Sequence, residues 1–191
     1  MGSLIDSNSD INRRKGLALC AYNKLKKILE SKQVNIKLKM RVLDTYVKSI
    51  FLYNSEIWTV TKETENNIDT FQRSLLRRTL NIYWQDKVTN QELYHRANMN
   101  KWSKEIKKRR LKWLGHLLRL PAETPARQSL KEALTPVKRP RGKPKTTWVH
   151  LIKRELEELE VVFDLANIDK VTELANDRMF WNGLIPRAMS Q

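Results

Sequence analysis

A single cysteine, Cys20, stands in 191 residues, and that scarcity removes two chemistries. No intramolecular disulfide can form. No zinc cluster can be assembled from one thiol and the three scattered histidines His95, His116 and His150. Cys20 itself reads as a core position on an apolar helical face, in a reducing compartment. Glycine is also scarce, five in all, and β-branched runs are few, which favours helices over sheet. No apolar run approaches the ~18 residues a transmembrane helix needs, so no membrane contact is expected. The start, Met1 to Asp6, fails the myristoylation pattern at Asp6 and shows no secretory signal. The expected location is therefore intracellular, nuclear or cytoplasmic.

Catalytic constellations are missing as well. There is no adjacent Asp pair after an aromatic, no Gly-rich phosphate loop and no His-Glu-x-x-His. The best acidic candidates have plainer readings: Asp86 as part of a local turn, and Glu155, Glu157, Glu158 and Glu160 as the solvated face of a helix. No cofactor, metal or small-molecule substrate is expected.

What the chain has in excess is positive charge, and it is segregated. Of sixteen net positive charges, fourteen fall between Lys101 and Arg154, where seventeen Lys/Arg face three Glu. Residues 155–191 are acidic instead, with eight Asp/Glu against three bases. Three of the six Trp lie inside the basic block. Cations interleaved with aromatics suit a sugar-phosphate backbone. Hydrophobic residues make 40 % of the chain, enough for a packed core and too many for wholesale disorder.

Apolar spacing predicts the elements. A helix from Ile11 to Glu30 would bury Ala18, Ala21, Tyr22, Leu25, Ile28 and Leu29. A second, from Asn35 to about Tyr53, would bury Ile36, Met40, Leu43, Val47, Ile50 and Phe51, with Leu38, Val42, Tyr46 and Leu52 widening its face. A third runs from Lys62 to Leu80 behind Ile68, Phe71, Leu75 and Leu76. Thr89-Asn90-Gln91-Glu92 reads as a capping box opening a short fourth helix. The fifth, Lys101 to Arg119, sets Lys101, Lys104, Lys108, Lys112 and Arg119 within about 60° of one another, at ~100° per residue. Arg109 and Arg110 lie nearby. Gly115 falls in the same stripe, where its missing side chain would admit a backbone or phosphate. Trp102, Ile106, Trp113, Leu114, Leu117 and Leu118 take the opposite arc.

Five of the six prolines lie between Pro121 and Pro144, so this stretch reads as a linker. It ends in Lys138-Arg139-Pro140-Arg141-Gly142-Lys143-Pro144-Lys145, expected to be exposed and extended. The tract resembles the AT-hook, a minor-groove-binding motif, with Lys143 in place of the usual Arg. A solvated linker and a nuclear-import signal fit the same residues. Beyond it, Thr146 or Thr147 caps a helix with Trp148, Leu151, Ile152, Leu156 and Leu159 inward. Ile168 to Ala175 and a stretch with Trp181, Leu184 and Ile185, ended by Pro186, complete the tail. The expected class is all-α, divided as residues 1–84, 85–121, 122–147 and 148–191.

Several phrases in order resemble one family. They are Tyr53-Asn54-Ser55-Glu56-Ile57-Trp58-Thr59, Arg77-Arg78 with Trp84-Gln85-Asp86-Lys87-Val88-Thr89-Asn90, Arg109 to Pro121, Arg139 to Trp148, and Asp177-Arg178-Met179-Phe180-Trp181. Together they are similar to the C-terminal part of reverse transcriptases from non-LTR (LINE-type) retrotransposons. Asn54 stands where that family usually has Gly. The resemblance implies that Gly2-Ser3-Leu4-Ile5 ends a palm and that a thumb-like helical bundle follows, with a nucleic-acid-binding extension after it. It further implies that the fingers, catalytic palm and endonuclease are absent. The expectation is a non-catalytic segment that binds RNA, DNA or their hybrid, with a complete reverse transcriptase as a further partner. The binding residues would be Lys101, Lys104, Lys108, Arg109, Arg110, Lys112 and Arg119 on the helix, and Lys138, Arg139, Arg141, Lys143 and Lys145 in the tract. The alternative is a protein-interaction module whose basic face meets an acidic partner or the chain's own acidic tail.

Overall fold

The computed structural model describes residues 6–135 and 146–190. Among them every regular element is helical, so the all-α expectation holds. In order these are α1 (Ser7–Lys24), α2 (Lys26–Leu29), α3 (Ile36–Val42), a π-helical stretch (Leu43–Lys48) leading into α4 (Ser49–Phe51), α5 (Lys62–Thr79) and α6 (Asn90–Ala97). Then follow α7 (Trp102–Arg119), α8 (Pro125–Leu134), α9 (Trp148–Glu157), α10 (Ile168–Asn176) and α11 (Arg178–Ser190). The chain forms two compact units. The first joins Met1–Ser55 to Val60–Glu105, and the second joins Glu56–Thr59 to Ile106–Gln191.

In the first unit, Asp6 caps α1 through Ser9 N–H (2.7 Å) and Thr61 caps α5 through Thr64 N–H (3.3 Å). The core is built from Tyr22, Leu29, Leu43, Val47, Phe51, Ile68, Leu75, Leu76 and Leu93, all essentially inaccessible. Phe51 stacks on Trp102 at 4.9 Å between centroids, and Phe71 tilts against both. The first predicted helix breaks at Leu25, whose N–H is shared between Ala21 and Tyr22 carbonyls. Cys20 is exposed, not core. It lies two residues from both buried Ala18 and buried Tyr22, about 200° around the helix. Ile28 is likewise exposed on the first predicted helix, and Ile36, Leu38 and Tyr46 are exposed on the second, which buries a narrower stripe than its composition suggested.

Among the described residues the left-handed positions are all taken by residues other than glycine. Asn54, Asn81, Lys87, Asn98 and Glu160 all adopt positive φ, from 48° to 60°. Asn54 thus keeps a left-handed turn of the kind glycine favours. In the turn after α5, Asp86 accepts the Tyr83 N–H at 2.7 Å, the local role its position suggested. Arg77 braces the same turn by donating to the Val88 carbonyl (2.9 Å) and to Asn90 Oδ1 (3.1 Å). Thr89 caps α6 through Glu92 N–H, while the Glu92 carboxylate pairs with Arg96.

The second unit packs Leu111, Leu114, Leu118, Leu130, Leu134, Ile152, Leu156, Phe163, Val171 and Trp181 into one core. Here the sequence reading needs two corrections. The stretch after Pro121 is not all linker: Pro125–Leu134 is α8, with Pro125 at its first turn, where the missing N–H costs nothing. Leu130 and Leu134 bury its inner face. At the other end, α11 continues through Pro186 instead of stopping there. Proline forfeits one hydrogen bond, but buried Trp181, Leu184 and Ile185 hold the preceding turns against the core.

Candidate nucleic-acid interface

The basic helix α7 is anchored at its start by two side chains of α5. Asp69 accepts from Ser103 N–H (3.1 Å) and from the Ser103 hydroxyl (2.8 Å). Gln72, fully buried, makes three bonds. Its amide donates to the Asn100 carbonyl at 2.8 Å, and its Oε1 accepts from Trp102 N–H at 2.8 Å and Tyr94 O–H at 3.2 Å. Orphan N–H groups of a helix start are thereby satisfied from outside. Burial, then the Asp69 charge, push the Tyr94 hydroxyl up to about 12. Tyr94 therefore stays a neutral donor.

Around this anchor the first unit forms a concavity of about 470 Å³. Arg73, Lys101 and Lys104 supply its charge, and Asn90, Gln91, Tyr94 and Asn100 supply hydrogen-bonding groups. No acid lines it. Lys101 is exposed and Lys104 half-buried. Arg73 donates to Thr70 Oγ1 at 2.7 Å, which aims its guanidinium along α5. Sequence reasoning found the two lysines but missed Arg73. That residue follows Gln72 on α5, and only the fold brings it beside Lys101.

In the second unit several expected phosphate ligands have other duties. Arg110 is 3 % exposed and pairs with Glu155 at 2.5 Å, so it is not available to a backbone. Glu155, expected on a solvated face, is 4 % exposed. Burial pushes its carboxyl up to about 7, against the pull of Arg110 and Lys107. Lys107 pairs with Glu158 at 2.5 Å. Arg119 is half-buried and donates to the Ala175 carbonyl (2.8 Å) at the end of α10, a favourable place for a cation. Burial and neighbouring Arg178 both lower its pKa. Gly115 is buried against Trp181, whose indole N–H donates to the Leu111 carbonyl at 3.0 Å. The space at Gly115 admits that indole rather than a phosphate.

What remains outward in this unit is a shelf of about 290 Å³ lined by Glu56, Arg109, Lys112, Trp113 and His116. Trp113 and His116 tilt against each other with centroids 5.1 Å apart. Beside the shelf lies a larger groove of about 570 Å³, walled by Ile57, Trp113 and Trp148 and floored by Leu117, Leu130 and Val149. Trp148 is fixed there by its indole N–H, which donates to the Glu56 carbonyl at 2.8 Å. Among the described residues no hydrogen bond or ion pair occupies the side chains of Lys101, Lys108 or Lys112. Lys138, Arg139, Arg141, Lys143 and Lys145 lie outside the described residues. Among the described residues no group of three or more His, Cys, Asp or Glu could hold a metal ion, and no helix is long and apolar enough to cross a membrane. Comparison with protein-family models, with curated proteins and with solved structures finds no match.

Proposed function

We propose that this chain binds RNA, DNA or RNA–DNA hybrid, mainly through phosphates and without strong sequence preference. In this reading it is a non-catalytic segment akin to the C-terminal part of a non-LTR retrotransposon reverse transcriptase. The observation that carries the proposal is the uneven use of acids. Glu155 and Glu158 are spent on Arg110 and Lys107. The side chains of Lys101, Lys108 and Lys112 are left without an ion pair or hydrogen bond among the described residues. Unneutralised lysines, of which Lys101 and Lys112 line concave surfaces, attract a polyanion and release its counterions.

Titration with duplex, hybrid and single-stranded oligonucleotides at low and moderate salt tests this. Binding that weakens steeply with salt is expected, with a slope of about −0.9 per phosphate neutralised on duplex DNA. No binding at low salt would overturn it. The second reading, an interaction module, is favoured by the same pairs Lys107–Glu158 and Arg110–Glu155, in which part of the basic block meets the chain's own acidic tail.

A further inference from the structure

Two concavities of the second unit share one side chain. Trp113 lines both the apolar groove and the cationic shelf. The groove, at about 570 Å³, has the size of a small-molecule site. Its walls are two indoles, and α8 contributes exposed small residues, Ala126, Ser129 and Ala133, beside buried Leu130. The backbone bond from Trp148 to Glu56 holds one indole in place without any ligand. The shelf adds Lys112, which has no other partner among the described residues, with His116 and Arg109 beside it and Glu56 as a nearby acceptor.

We infer that the groove receives an unpaired nucleobase while the adjoining phosphate rests on Lys112. This deepens the proposed function and depends on it, because it names the form of nucleic acid taken: a strand with at least one unstacked base. The chemistry is complementary at both ends. Indoles offer faces and edges on which any base stacks. An apolar cleft excludes a phosphate, and the shelf beside it accepts one. A purely apolar peptide would gain nothing from the cations on the rim, so charge selects the nucleotide over it.

The test uses the full chain and a short single strand carrying the fluorescent base 2-aminopurine, with the same sequence as a duplex in parallel. Stacking in the groove should quench the fluorophore in the single strand and give tighter binding than the duplex. Ala133→Leu projects an isobutyl group into the groove from an exposed helical position, where leucine is well tolerated. It should abolish the quench and weaken single-strand binding about tenfold or more, the loss of one base stack, leaving duplex binding unchanged. Lys112→Ala should weaken both forms yet keep the quench at saturation. If strand and duplex bind equally, with no quench and no effect of Ala133→Leu, the groove inference is overturned and charge-driven binding survives. If neither binds at low salt, both fall together.

Discussion

A Cβ on Gly115 would collide with the indole of Trp181, standing 2.7 Å from its Cδ1 and 2.9 Å from its Cε2. Trp181 is 3 % exposed and bonded to Leu111, so it has nowhere to retreat. In an open helix Gly→Ala would gain about 1 kcal/mol. Here the overlap decides the sign, and Gly115→Ala is expected to cost about 1–3 kcal/mol, as overpacking does. Chemical denaturation checks it, and a stabilised variant would refute the close approach.

The burial of Glu155, only partly offset by Arg110, predicts a pH dependence. The folded-state pKa of Glu155 is raised from 4.5 to about 7, so the native state holds its proton more tightly than the unfolded chain does. Its stabilising contribution is complete below 4.5 and is lost as pH rises through about 7. Relative to Glu155→Gln, the wild type should lose up to about 3 kcal/mol between those limits. Denaturation curves for both proteins across that window provide the measurement, and parallel profiles would contradict it.

Gln72, itself buried, makes three hydrogen bonds from one amide, so its removal should be costly. Gln72→Leu keeps the volume but strands the Asn100 carbonyl and the Trp102 N–H. A loss of about 1–3 kcal/mol is expected, the cost of a buried polar group left unsatisfied. Trp102 fluorescence should report a looser start to α7 before global unfolding.

Nucleic-acid affinity should depend on lysines and not on all cations of α7. Lys101→Ala with Lys104→Ala should weaken binding to every sequence tested and reduce the salt slope by roughly 0.9 for each phosphate contact removed. Arg110→Ala should instead unfold the protein more readily, because it leaves Glu155 buried without its partner. Equal effects on affinity from both kinds of variant, with no stability difference, would refute this division of labour.

Most helices were legible in the sequence because their apolar stripes recur at helical spacing, as α5 and α7 show. The roles of individual cations were not. Arg110 lies about 180° around the helix from Lys101, in the arc of buried Ile106, Leu114 and Leu117, so its inward position was open to periodicity, but its partner Glu155 on α9 was not. Gly115 marks a point of close approach, but the group that fills it is the Trp181 indole rather than the expected backbone or phosphate, and it sits 66 residues further along the chain, beyond the reach of any local pattern. Helix α8 was hidden by its flanking prolines, although Pro125 occupies the one part of a helix where proline is at home. The groove between Trp113 and Trp148 was foreshadowed only by aromatics scattered among bases.

The left-handed positions carry a consequence of their own. Three of the five are Asn, which tolerates positive φ, but Lys87 and Glu160 have longer side chains and no such dispensation. Each holds about 1–2 kcal/mol of backbone strain in a place where the chain has no glycine to relieve it. These two bends are thus tensioned springs within the fold. A glycine at either would slacken it, and the turn after α5, braced by Arg77 and Asp86 on either side of Lys87, is where the surrounding bonds would no longer be opposed by the residue they restrain.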